Sequence, residues 1–87
     1  MDVQAVRSQI KETISNVTNI PPEEIADDAH FLDDLELDSL SLLEIGVDID
    51  YAFKLGVPEE RLQELRTVQE TVNLVLEVKG EKVESAA

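Results

Sequence analysis

The sequence predicts a small all-α fold: an antiparallel bundle of three main helices plus one or two short ones, with a long loop between helices 1 and 2. Three observations carry this. Apolar residues recur at three- and four-residue spacing in three separate stretches. The three prolines (Pro21, Pro22, Pro58) fall only between those stretches. No stretch alternates strictly, as a half-buried strand would. The 87 residues suffice for one domain and a modest core. The expected division is a folded domain over 1–79 and a frayed tail over 80–87.

The first helix is expected over 2–17. Val3, Val6, Ile10, Ile14 and Val17 make one stripe, Asp2 can cap the start, and Asn16 to Asn19 end the helix before Pro21-Pro22. Pro22 to Ile25 can form one short turn. Residues 26–38 have no clean period. Asp27, Asp28, Asp33, Asp34, Glu36 and Asp38 alternate with Phe31, Leu32, Leu35 and Leu37, which reads as a long ordered loop pinned by its apolar members. Loops of this length are uncommon in compact domains and often functional.

The second helix is expected over about 39–54. Leu42, Ile45, Ile49 and Phe53 form one stripe; Leu40, Leu43, Val47 and Tyr51 form another. Ser41, Glu44 and Asp48 leave only a narrow polar face. A helix apolar around so much of its circumference is central to the fold or binds something with its second stripe. Gly46 weakens its propensity, Lys54 suits its negative end, and Gly56 is the expected stop. Pro58 fits a first helical position of a short element reaching Leu65, with Leu62 and Leu65 inward. Thr67-Val68-Gln69-Glu70 is a capping box. The last helix then runs to about Val78 on Val68, Val72, Val75 and Leu76.

Composition removes several functions. Aromatic residues are only 3%, so the core is aliphatic. There is no cysteine, which excludes disulfides and thiolate metal sites and suits a cytoplasmic setting. No apolar run approaches a membrane span, and Met1-Asp2-Val3-Gln4 lacks the pattern of a secretory signal. Seven basic residues against twenty acidic ones give a net charge of −13. Such a surface repels nucleic acid and anionic membranes and steers basic partners inward.

Catalytic and metal chemistry find little support. His30 is the only histidine and lies in the loop, and there is no Gly-x-Ser-x-Gly elbow. His30 reads as a surface or loop-packing residue. Calcium-loop registers starting at Asp34 or Asp48 both fail at required ligand positions. There is no Gly-rich phosphate loop.

Ser39 stands out because a loop ends and a helix begins there. Asp38 is a good N-cap, which places Ser39 in the first turn near the positive end of the helix dipole. An anion attached there, such as a phosphate ester, is electrostatically favoured. The plain alternative is an ordinary helix-start serine.

Phe31, Asp34-Leu35, Asp38-Ser39-Leu40 and Glu44 together resemble the acyl carrier proteins, whose attachment stretch has the form Phe…Asp-Leu-Gly-x-Asp-Ser-Leu followed by a helix carrying Glu. Phe53, Val57-Pro58 and Thr67-Val68 fall at the family's downstream spacing, so the likeness covers roughly 3–78. The chain departs from it where Glu36-Leu37 replaces the Gly, at Ser41 where an acid is common, and in its more aliphatic helix 2. The Gly-Gly-His/Asp-Ser form of peptidyl carriers is absent.

The resemblance implies a carrier and not an enzyme. Ser39 is esterified with 4′-phosphopantetheine from coenzyme A by a phosphopantetheinyl transferase, with Asp38 capping the helix beside the arm. The arm's thiol then carries acyl groups as thioesters. Acyl-transferring, condensing or acyl-activating enzymes with basic rims are the implied partners, meeting Glu36, Leu40, Leu43, Glu44, Val47 and Asp48, and the carrier is expected to be a monomer. Ile45, Ile49, Phe53, Leu62, Leu65, Val68 and Val72 either line an acyl-chain cavity or are ordinary core. Fatty-acid, polyketide and specialised lipid pathways all remain open, with the aliphatic helix 2 and the missing Gly inclining the reading toward a specialised or polyketide-type system. The alternative is an unmodified acidic helical adaptor for basic proteins.

Overall fold

The computed structural model describes residues 3–80. Its elements are α1 (Val3–Thr18), a 3-10 turn (Pro22–Glu24), α2 (Ser39–Phe53), α3 (Glu59–Gln63) and α4 (Val68–Val78). Helix α1 packs on α4 and α2, and α3 packs on α2. The three long helices therefore match the predicted bundle. The expected Asp2 cap and residues 81–87 of the expected tail lie outside the described residues.

The stripe of α1 is buried as its spacing demands, through Val6, Ile10 and Ile14. Burial of each such side chain contributes about 1.5–3 kcal/mol relative to exposure. Two polar residues join them, which apolar spacing does not foresee. Thr13 donates its hydroxyl to the Gln9 carbonyl (3.0 Å). Arg7 places Nε 3.4 Å from Asp27 Oδ2 and donates Nη2–H to Gln69 Oε1 at 3.2 Å. Lys11 Nζ meets the other Asp27 oxygen at 2.6 Å. Asp27 also accepts the Gln69 N–H on its backbone carbonyl (2.9 Å). One loop acid thus ties α1, the loop and α4 together, which offsets the desolvation of Arg7. Helix α1 ends on Asn19 at φ 65, whose N–H returns to the Ser15 carbonyl (2.7 Å). Asparagine tolerates that left-handed position.

The loop after the 3-10 turn is ordered, with Ile25, Ala29, Phe31 and Leu37 buried. It pairs with the segment leading into α4 around an isolated antiparallel bridge, His30 with Thr67. The Phe31 N–H donates to the Arg66 carbonyl (2.8 Å) and the Val68 N–H to the Ala29 carbonyl (3.3 Å). Leu32 corrects the expectation that every apolar loop residue is an anchor, since it is 48% exposed. The N–H groups of Asp34 and Leu35 both return to the His30 carbonyl. That tight turn leaves Leu32 on its outer edge.

Helix α2 buries Leu42, Ile45 and Ile49 and half-buries Phe53. Gly46 is buried, and a Cβ built there would lie 3.0 Å from Leu62 Cβ. Its missing side chain is what lets α3 approach. The expected stop at Gly56 is corrected: α2 ends at Lys54, in the left-handed region at φ 54. The Lys54 N–H reaches the Tyr51 carbonyl and the Leu55 N–H the Asp50 carbonyl (3.0 Å), a Schellman arrangement with Leu55 buried behind it. The Asp50 carboxylate then takes the Val57 N–H (3.1 Å) and fixes the connection to α3. Pro58 stands at the cap position of α3, one residue before its expected place.

Helix α4 begins on Thr67, whose hydroxyl accepts the Glu70 N–H (3.1 Å). The Glu70 carboxylate reaches back to the N–H of Arg66, one residue earlier than a standard capping box (3.1 Å). Val68, Val72, Val75 and Leu76 are buried as expected, and Thr71 and Leu74 with them. The Thr71 hydroxyl is satisfied by the Thr67 carbonyl (3.0 Å).

Candidate functional site

The end of the loop and the start of α2 form the site. Asp38 is the N-cap at φ −91, ψ 175, and its carboxylate accepts the Ser41 N–H at 2.8 Å. The bond from the Ser41 backbone, then that from its hydroxyl, holds the Asp38 carboxyl below its ordinary value of 3.8. The Asp38 carbonyl accepts the Leu42 N–H (2.9 Å). The first turn of α2 is therefore fastened from outside the helix.

Ser39 is the first residue of α2 and is exposed. Unlike that of Ser41, its hydroxyl makes no hydrogen bond among the described residues. Its hydroxyl is free to be acylated or phosphorylated, and the positive end of α2 lies beneath it.

Glu36, three residues earlier, adopts φ 55. An L side chain costs roughly 1–2 kcal/mol in that region, and glycine avoids the cost. This is the position at which the attachment stretch of the resembling family has glycine. The side chain is exposed and makes no bond among the described residues. The substitution is legible in sequence; the strain is not.

The second stripe of α2 faces outward. Leu40 is 74% exposed, Val47 45% and Tyr51 84%, with Leu43 half-buried. Glu44 and Asp48 are exposed between them and form no ion pair among the described residues. Tyr51 extends this surface to the last turn of α2, beyond the expected partner set. His30 is held in the loop: its ring Nδ1 accepts the Asp33 N–H (3.3 Å) and its backbone N–H donates to Asp34 Oδ2 (2.8 Å). No group of three or more potential metal ligands converges among the described residues.

Ile45, Ile49, Leu62, Leu65, Val68 and Val72 are all core residues, and Phe53 packs against them. The recess that opens beside Ser39 is lined by Ser39, Leu42 and Gln63 and has a volume of about 250 Å³. None of the seven expected cavity residues lines it. A second recess between α3 and α4, of about 220 Å³, touches Leu65 but none of the other six. Gln63 is absent from every sequence motif, because nothing local relates it to a serine two elements earlier.

Comparison with known proteins agrees with this geometry. A family model described as the phosphopantetheine attachment site matches residues 8–75. The chain is similar to a meromycolate extension acyl carrier protein of Mycolicibacterium aurum, with 37% identity over 84 residues, 97% of this chain and 87% of that one. A meromycolate extension acyl carrier protein of Mycobacterium leprae is 40% identical over 88% of this chain and 67% of its own length. An acyl carrier protein of Thermobifida fusca is 35% identical over 76% of this chain and 84% of its own. Among solved structures, the apo doublet acyl carrier protein from prodigiosin biosynthesis superposes with a TM-score of 0.77 at 27% identity over 97% of this chain. This chain spans 42% of that doublet.

Proposed function

This chain belongs to the acyl carrier proteins, the phosphopantetheine-attachment family, and on that premise we propose that Ser39 is the residue that takes the arm. Acyl carrier proteins are carriers and not catalysts, in keeping with a chain whose one histidine is occupied in a loop. The observation that carries the assignment is the unbonded, exposed Ser39 hydroxyl at the capped N-terminus of α2. The residues fit the group: a phosphate on Ser39 Oγ sits at the positive helix end, with a recess beside it. Once attached, the arm supplies the thiol that this cysteine-free chain lacks. Asp38 holds the turn that presents Ser39.

The partner surface follows from exposure and charge. Glu44 and Asp48, with Glu36 near the serine, offer unpaired carboxylates, and Leu40, Leu43 and Val47 supply a modest apolar contact. Enzymes that load or process the acyl group meet this face with basic rims. The association is fast and short-lived, as long-range steering of a −13 chain favours. The same charge disfavours nucleic acid and self-association, so the working form is a monomer. No helix among the described residues is long and apolar enough to cross a membrane. A cytoplasmic setting fits the absence of cysteine. Among pathways, the names of the relatives favour extension of a fatty-acyl chain.

The test is intact mass after incubation with coenzyme A and a broad-specificity phosphopantetheinyl transferase. One added arm is expected, and none on Ser39→Ala. A folded chain that gains no mass would overturn the assignment and leave the acidic adaptor in its place.

A further inference from the structure

Helix α3 packs closely on α2 and not on α4. The recess left between α3 and α4 has a volume of about 220 Å³ and, among the described residues, shares no lining with the one beside Ser39. Its floor is apolar: Leu65, on the segment after α3, and Leu74, on α4, are buried and line it. Its rim is acidic. Glu64, Glu70 and Glu77 are exposed there, with the Arg61 guanidinium beside them.

The rim carboxylates keep unused capacity. Glu70 Oε2 accepts the Arg66 N–H at 3.1 Å, which leaves Oε1. Glu77 Oε2 stands 3.4 Å from Arg61 Nη2 across the recess, an exposed pair of small worth. The Glu64 carboxylate makes no hydrogen bond or ion pair among the described residues. Each carboxylate can accept several hydrogen bonds, so the rim holds a surplus of both negative charge and acceptors.

An apolar floor under an acidic rim selects its occupant. A long basic side chain has the matching shape: its methylene stem lies on leucine while its cation stays at the wet edge. Arginine fits better than lysine, because its planar guanidinium meets two carboxylates at once. A second copy of this chain is repelled, since each copy carries a net charge of −13, and an anionic lipid surface is repelled likewise. A neutral aliphatic side chain would leave the carboxylates without a cation and cost part of their hydration.

We propose that the α3–α4 recess is a docking site for an arginine side chain on a basic protein partner, its stem on Leu65 and Leu74 and its guanidinium held by Glu64, Glu70 and Glu77. The site depends neither on Ser39 nor on an attached arm. It gives the carrier a second point of attachment: a basic segment holds it here while the outward face of α2 meets the enzyme that works on the arm. Arg61 is then a competitor, occupying Glu77 until the partner's arginine takes its place.

The experiment is an NMR titration of the unloaded protein with a blocked Lys-Leu-Arg-Leu-Lys peptide, beside one with citrulline in place of arginine. Citrulline keeps the shape and loses the charge. The Leu65 and Leu74 methyls should shift most with the arginine peptide. The citrulline peptide should bind roughly two- to fivefold more weakly, the range of an exposed ion pair. Glu64→Gln and Glu70→Gln, which keep an acceptor oxygen, should weaken the arginine peptide by a similar factor. Arg61→Ala should strengthen it more than Lys54→Asn, which removes one positive charge outside the recess. Shifts concentrated at Leu40, Glu44 and Val47, equal affinity for the two peptides, or no binding overturns the site while attachment at Ser39 stands. An Arg61→Ala variant that binds no better than Lys54→Asn overturns the exchange at Glu77.

Discussion

Replacing Glu36 with glycine should stabilise the protein while weakening its recognition. Glu36 sits at φ 55, exposed and without a bonded partner among the described residues. An L residue in the left-handed region costs about 1–2 kcal/mol. Glycine relieves that cost but gives back roughly 0.5–1 kcal/mol through the extra freedom of its unfolded chain. The expected net gain is about 0.5–1 kcal/mol. For a domain of this size, that is a rise in Tm of about 2–8 °C. Removing one carboxylate also relieves crowding with Asp33, Asp34 and Asp38, so Glu36→Ala is the proper control: it loses the same charge but keeps a Cβ. Thermal unfolding by circular dichroism, with both variants at one pH and salt concentration, isolates the backbone contribution. Glu36→Gly should melt above Glu36→Ala. A glycine variant that melts at or below the alanine variant would refute the strain argument. In parallel, Glu36→Gly should be loaded more slowly at low ionic strength, since the carboxylate nearest the strained turn is gone.

Other outcomes follow from the same contacts. Asp38→Ala should lower Tm at neutral pH by removing the cap of α2. Because the Asp38 carboxyl is held below 3.8, its contribution is fully present above that pH and is lost as pH falls through the lower folded value, so the Tm difference from the parent should shrink in melts run below pH 3.8. Asp27→Ala should cost about 2 kcal/mol in a denaturant titration, because it strips the shared ion-pair partner from Arg7, whose side chain is largely buried, and from Lys11. Glu44→Lys should leave stability within about 0.5 kcal/mol yet slow loading by a partner enzyme roughly tenfold at low salt, an effect that fades as salt is added. Equal rates at low salt would remove Glu44 from the docking face.

The helices were readable because their information is local. The spacing of Val6, Ile10 and Ile14, of Leu42, Ile45 and Ile49, and of Val68, Val72 and Val75 fixes which face goes inside. Asp38 and Thr67 announce their caps through residue type. What escaped depends on contacts far along the chain or on backbone dihedrals. Arg7 looks like a surface residue until Asp27 and Gln69 are brought beside it. Lys54 ends α2 where glycine two residues on is the conventional stop, because non-glycine residues can hold φ 54 when a Schellman pair and a buried Leu55 compensate. Leu32 has the composition of an anchor, but a turn closed on the His30 carbonyl leaves it outside. At the site, Ser39 and its acidic, outward-facing α2 were legible from sequence. Gln63 was not, since only the packing of α3 on α2, permitted by Gly46, carries it to the recess.

The central claim concerns one hydroxyl among neighbours of the same kind. Ser41 lies two residues from Ser39 but is half-buried and bonded to Asp38. Fragmentation mass spectrometry of the loaded protein, on a peptide spanning both serines, places the arm directly. All of it should be on Ser39, with the parent's Ser41 unmodified and a Ser41→Ala variant loaded as fully. An arm found on Ser41, or on any residue other than Ser39, would contradict the account.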